Sequence, residues 1–131
     1  MRALLPPGWP RPSGFSNGIA AEGRMVFTAG IIGWDEKGRI VAPDLAGQLR
    51  QILLNTLAIL AEDGAGPEQI VRMTWYVVDM NEYRFGLAEI GAAYKEVMGR
   101  NFPAMAVVQV EALVEPGARI EIETTAMVPE W

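Results

Sequence analysis

The stretch RIEIETTAMV, residues 119–128, restricts the fold more than any other part of the chain. Side chains alternate faces along a strand. Ile120, Ile122, Thr124 and Ala126 therefore share one face, and Glu121, Glu123, Thr125 and Met127 share the other. Such a segment needs an apolar layer on one side and accepts carboxylates only on the other. Residues 105–113 also read as a strand, and Pro116-Gly117 between the two reads as a turn. The expected arrangement is an antiparallel hairpin with Val108, Val110, Ile120 and Ile122 packed beneath helices. Met105, Val107, Gln109 and Glu111 would then join Glu121 and Glu123 on the far face. Met105, Val107 and Met127 do not suit full exposure, so partial burial against another subunit is expected there. Two readings of the glutamates stay open. They are a solvated sheet face, or one of them lines a sheltered cleft and handles protons.

The covering helices are legible from their period. In PDLAGQLRQILLNTLAILAEDG, residues 43–64, the positions Leu45, Leu49, Ile52, Leu53, Leu57 and Leu60 form one stripe. Asp44 suits the cap and Gly64 the stop. QIVRMTWYVVDM, residues 69–80, is rich in β-branched and aromatic residues and reads as a strand covered on both faces. Asp79 and Glu82 match the D-x-x-E capping pattern. A second helix is expected from there to about Met98, burying Tyr83, Leu87, Ile90, Tyr94 and Val97 and ending at Gly99. Residues 15–30 read as two short strands around Glu22-Gly23, and residues 1–14 as extended chain. The order ββ, α, β, α, ββ predicts an α+β fold: a mostly antiparallel sheet with two helices on one face. At 131 residues, one domain spanning 1–131 is expected.

Composition narrows the chemistry. The chain has no cysteine and no histidine. Thiol nucleophiles, imidazole-dependent triads and most zinc sites are excluded; an all-carboxylate magnesium or calcium site stays open, but no DxDxDG-like loop supports one and no metal is expected. A general base must come from Glu, Asp, Tyr, Lys or bound water. The net charge is -5, and the arginines and lysines are scattered rather than striped. Nucleic acid is therefore not the expected partner. The opening MRALLPPGWPRPSG is not expected to act as a signal peptide, and no apolar run is long enough to cross a membrane. A cytoplasmic protein is expected.

Several stretches, taken in order, carry a family resemblance: VFTAGIIGW at 26–34, the helix from Gln48 to Gly64, TWYVVDMNEY at 74–83, AAYKEVMG at 92–99, FPA at 102–104 and VEPGARIEIETTA at 114–126. The chain resembles the Rid family of small trimeric proteins, also called YjgF/UK114, over about residues 12–128. The resemblance implies a chorismate-mutase-like fold and a barrel-like homotrimer with a ligand cleft between each pair of neighbours. It also implies hydrolysis of enamines or imines to ketones and ammonia, with no cofactor.

Residue by residue, the first glutamate of the IEIE segment, Glu121, matches the family's water-positioning carboxylate. Gly30 matches the glycine after the second strand. Phe15 stands where tyrosine is common, and Met105 stands where deaminating members carry a carboxylate-binding arginine. Glu89 falls where an asparagine is frequent, and Val107 is expected to line the same cleft. These departures imply a neutral or partly hydrophobic small-molecule ligand, unless Arg24, Arg72 or a neighbour's arginine compensates. A non-catalytic ligand-binding trimer and a pathway-specific aminomuconate- or aminoacrylate-type deaminase stay open as alternatives. Tyr83, Tyr94 and Trp75 are expected in the core, and Asp79 as a cap. Trp9 and Trp131 are expected near subunit edges.

Overall fold

The computed structural model describes residues 1–130; Trp131, expected at a subunit edge, lies outside the described residues. A short pair, β1 (Arg2–Ala3) and β2 (Ile19–Ala20), is followed by β3 (Arg24–Phe27) and α1 (Leu45–Ala61). A single 3-10 turn at Pro67–Gln69 leads into β4 (Ile70–Val77). Then come α2 (Met80–Phe85), α3 (Leu87–Met98), β5 (Ala104–Gln109) and β6 (Ile120–Val128). No helix among the described residues is long and apolar enough to cross a membrane.

The expected caps form. The Asp44 carboxylate accepts from the Gly47 N–H, and the Asp79 carboxylate accepts from the N–H groups of Asn81 and Glu82. Each satisfies donors that the first helical turn leaves without partners. The second helix is not continuous. It breaks at Gly86, a poor helix former, which accepts from Ile90 N–H and so passes the chain directly into α3. The expectation of two helices is corrected to three α-helices among the described residues.

The main sheet has four strands in the order β3-β6-β4-β5. β6 runs antiparallel to both β3 and β4, and β5 runs parallel to β4. This mixed, mostly antiparallel sheet agrees with the α+β reading. It is an open sheet with β3 and β5 at its edges, so the expected barrel-like closure is overturned. The hairpin is overturned as well, because β4 lies between β5 and β6. The physical cause is β4 itself. Its burial pattern is that of a central strand, and the helical crossover that follows it returns β5 as a parallel neighbour. Local pairing of β5 with β6 would leave that strand at an edge.

This change of neighbours reverses the faces of β5. Met73 lies opposite Met105 and Thr124, and Trp75 lies opposite Val107 and Ile122. Residues opposite one another on adjacent strands share a face. Met105 and Val107 therefore sit on the helix side and pack against the core, with Ile120, Ile122, Thr124 and Ala126. Val108, expected beneath the helices, is on the open face opposite Tyr76, in one row with Glu121.

The core lies between this covered face and the helices α1 and α3. Leu49, Ile52, Leu53, Leu60, Met73, Val77, Ile120 and Ile122 are fully buried. Each contributes about 1.5–3 kcal/mol by leaving water. Trp75, Tyr94 and Ile90 join the same cluster as expected, Tyr83 and Val97 are only partly buried against it, and Leu87, expected to be buried, is 54% exposed. Gln48, also fully buried, staples α1 to the loop before β6. Its Nε2 donates to Ala42 O at 2.9 Å and Gly117 O at 3.0 Å, and its Oε1 accepts from Arg119 N–H at 2.8 Å.

Candidate functional site

Glu121 projects from β6 onto the open face, opposite Tyr76 of β4. It is half-buried. The cover comes from the segment following β3. Thr28 N–H donates to Thr124 O at 2.9 Å, and Ile31 exchanges two backbone hydrogen bonds with Ile122. The Thr28–Ile31 side therefore spends one residue more than the β6 side, a bulge that swings Ala29-Gly30 over the strand. A Cβ built on Gly30 would lie 2.4 Å from Glu121 Oε2. Only glycine lets the backbone approach the carboxylate this closely.

Around Glu121 the open face is polar and acidic. Tyr76 donates its hydroxyl to Glu123 Oε1 at 2.5 Å. That hydrogen bond, followed by desolvation and the charges of Glu123 and Glu121, holds the Tyr76 hydroxyl above its ordinary 10.0. Thr74 and Glu123 occupy the next row, and a shallow depression reaches from Glu121 to Val110, Leu113 and Val114. Beyond it, Met25 and Phe27 of β3 are 52% and 63% exposed on the same face. No group of three or more His, Cys, Asp or Glu suited to a metal ion occurs among the described residues.

Phe15 and Met105 meet elsewhere. They line a groove of about 840 Å³ on the helix side, bounded by α3 and by the Gly99–Phe102 segment. Its floor is aromatic. Trp75 packs edge-on against Tyr83 at 6.4 Å, Trp75 lies 6.1 Å from Tyr94, and Tyr94 stacks on Phe102 at 6.0 Å. The Tyr94 hydroxyl donates to Asn101 O, and burial pushes the Tyr94 and Tyr83 hydroxyls above their ordinary range.

Leu87, Ile90, Gly91, Tyr94 and Lys95 present one face of α3 to this groove. Glu89 is exposed and is not among the lining residues. Two positions beyond Leu87, it sits roughly 200° around the helix axis from it. Val107 packs on the core beside the groove rather than lining it. The structure thus brings Phe15 together with Met105, and Gly30 together with Glu121, with the sheet between the two pairs. Of the arginines weighed as compensation, Arg24 is engaged with Asp63 at 3.0 Å, while Arg72 lies on the open face beside Thr125. Lys95 and Arg100, which do line the groove, were missed by the sequence reading. The spacing Leu87, Gly91, Lys95 on one helical face was the signal available for Lys95.

An open mixed sheet with helices on one face, and a carboxylate beneath a glycine bulge on the other, defines a class of small α+β domains. The model of the family described as Endoribonuclease L-PSP matches residues 10–128. A RutC family protein of Pyrococcus horikoshii is 38% identical, over 89% of this chain and 90% of that protein. A 2-iminobutanoate/2-iminopropanoate deaminase of Salmonella typhimurium is 36% identical over 80% of each chain. The crystal structure of a conserved Rid family protein of Yersinia pestis superposes with a TM-score of 0.84 at 34% identity, covering 97% of this chain and 98% of that one. The chain belongs to this Rid family, as its ordered motifs implied.

Proposed function

We propose that this protein hydrolyses the C=N bond of a small, partly hydrophobic enamine or imine, releasing a ketone and ammonia. The relatives from Salmonella typhimurium and human named as 2-iminobutanoate/2-iminopropanoate deaminases support this reading. The observation that carries it is the Glu121 carboxylate, half-buried and held against the Gly30 backbone.

In this scheme the enamine first tautomerises to an iminium. Glu121 holds a water by accepting one of its hydrogens and favours the cationic carbon electrostatically. The water oxygen bonds to the iminium carbon while Glu121 takes a proton, and the C=N π pair moves to nitrogen. The proton returns to the amine nitrogen, the C–N bond breaks as the oxygen lone pair closes the carbonyl, and Glu121, again a carboxylate, takes the remaining hydroxyl proton. Ammonia leaves, and water has supplied the ketone oxygen. Met105, standing where deaminating members carry arginine, makes the interior of the cleft apolar.

Glu121 with Gly30 and Phe15 with Met105 lie on opposite sides of the sheet in one chain. They form one cleft when a second copy brings its groove to the first copy's open face. Exposed Met25 and Phe27 on that open face favour such a contact, and a homotrimer of three equivalent clefts satisfies every copy alike.

The test is ammonia release from imines generated in the assay by an amino-acid oxidase, with native mass measured alongside. Wild type should accelerate release, and Glu121→Ala should reduce the acceleration by about 100-fold or more. Gly30→Ala should approach the same loss, because its methyl displaces the carboxylate. Equal rates for wild type and Glu121→Ala across charged, neutral and aromatic imines would end this reading.

A further inference from the structure

The bulge that lays Gly30 against Glu121 turns on a side chain that the hydrolytic scheme does not use. In a regular antiparallel ladder, a hydrogen-bonded pair of residues exchanges two backbone hydrogen bonds. Thr28 and Thr124 make only half of that exchange. Thr28 N–H donates to Thr124 O at 2.9 Å, but Thr124 N–H donates to the Thr28 hydroxyl oxygen at 3.1 Å. The Thr28 side chain thus takes the place of its own carbonyl in the ladder. The regular exchange resumes at Ile31, which makes both bonds with Ile122.

The same hydroxyl has a second partner. Its hydrogen goes to Ala29 O at 2.8 Å. A threonine hydroxyl has one hydrogen to donate and lone pairs to accept with, so both bonds form at once. Apart from this one, no hydrogen bond reaches the backbone of Ala29 or Gly30 among the described residues. Ile31, 5% exposed and part of the core, anchors the far end of the bulge. Between the two anchors, Thr28 Oγ1 alone fixes the plane of the Ala29-Gly30 peptide. That peptide is the cover on the carboxylate, since a Cβ built on Gly30 would lie 2.4 Å from Glu121 Oε2 and 3.0 Å from its Cγ.

We infer that Thr28 is a positioning residue: its hydroxyl holds the bulge that seats Gly30 on Glu121. The hydroxyl decides the geometry because a competing arrangement is close at hand. Without it, Thr124 N–H keeps an acceptor only if the Thr28 carbonyl turns back toward β6, and a donor left unpaired is costly. That turn rotates the peptide that follows and lifts Gly30 from the carboxylate. Thr28 acts through Gly30 and not on the substrate. Its effect on turnover rests on the deaminase reading and falls on kcat, because Glu121 works on the attacking water.

The experiment compares wild type with Thr28→Ser, Thr28→Val and Thr28→Ala by two readouts. The first needs no turnover: the nuclear Overhauser effect between Gly30 Hα and Glu121 Hγ in isotope-labelled protein. The second is kcat and KM for ammonia release from imines formed by an amino-acid oxidase. Wild type and Thr28→Ser should both show the Overhauser contact and share one kcat. Thr28→Val and Thr28→Ala remove the hydroxyl with and without branching at Cβ. Both should lose the contact and about 10- to 100-fold in kcat, with KM moving less than about twofold. The inference is overturned if the contact persists without the hydroxyl, if kcat stays at the wild-type value, if the change is confined to KM, or if Thr28→Ser fails to match wild type. It is also overturned if both hydroxyl-free variants unfold, since Thr28 then serves the fold rather than the site. Loss of the contact in a protein that turns over no imine, wild type included, removes the deaminase reading and leaves this one standing. Turnover by wild type with the contact unchanged in every variant does the reverse.

Discussion

The two faces of β6 differ more than their shared backbone suggests. On one side, Ile120, Ile122, Thr124, Ala126 and Val128 are buried beneath the helices. On the other, Glu121, Glu123, Thr125 and Met127 remain partly or fully accessible in the single chain. The covered face is closed by α1 and α3, and its role is complete within one copy. The open face combines carboxylates, a tyrosine and exposed apolar side chains of β3, a mixture that one copy leaves unfinished. Stability is concentrated on one side of a strand and chemistry on the other, one residue apart.

Adjacent substitutions break this comparison most sharply. Ile122→Ala should cost about 3–4 kcal/mol in urea unfolding, since it leaves a cavity under α1. Glu121→Ala, its neighbour, should change stability by less than about 0.5 kcal/mol while removing the proposed hydrolysis. Comparable destabilisation by the two would erase the distinction between the faces. Gln48→Ala should cost about 2–3 kcal/mol, because the carbonyl of Gly117 and the N–H of Arg119 lose their partner away from bulk water. A smaller cost would mean that water replaces the staple.

The tyrosines sharpen the contrast through its causes. All three relevant hydroxyls are raised above 10.0, Tyr83 and Tyr94 by burial and Tyr76 chiefly by donating to Glu123. A raised folded value means that each contributes its stability in full below the unfolded value of 10.0 and loses it as pH rises through the folded value. Unfolding measured from about pH 8 to about pH 12 should therefore show falling stability only in its alkaline half. Tyr94→Phe should flatten that fall. Glu123→Gln should lower the titration of Tyr76 and leave Tyr94 unmoved. The smallest effect belongs to Gly91→Ala. With open space for its methyl and a helical backbone, it should stabilise by about 0.5–1 kcal/mol.

Most of the fold was legible because periodicity reports burial. The stripe of α1, the caps Asp44 and Asp79, and the alternation of β6 all appear where they were expected. Pairing was less legible. Pro116-Gly117 is a real turn, with Gly117 at φ 90, but a turn residue does not say which strands it joins. The strand-helix-strand order from β4 through α3 to β5 was the better guide, since parallel neighbours need such a crossover. Choosing the hairpin placed Met105 on one face with Glu121, whereas within one chain the sheet separates them. Gly30 and Glu121 were each singled out by motif matching, but their contact was not, because a bulge over a neighbouring strand leaves no local pattern. Arg100 could not have been found, since the loop after α3 has no period to read.

The place of β6 between β3 and β4 also fixes the order of events during synthesis. Strands β3 and β4 gain their common neighbour only when residues 120–128 leave the ribosome. Until then Met73, Trp75 and Val77 lack one of the two strands that flank them. A chain stopped before residue 120 should leave one edge of β4 unpaired, the condition under which unfinished sheets aggregate.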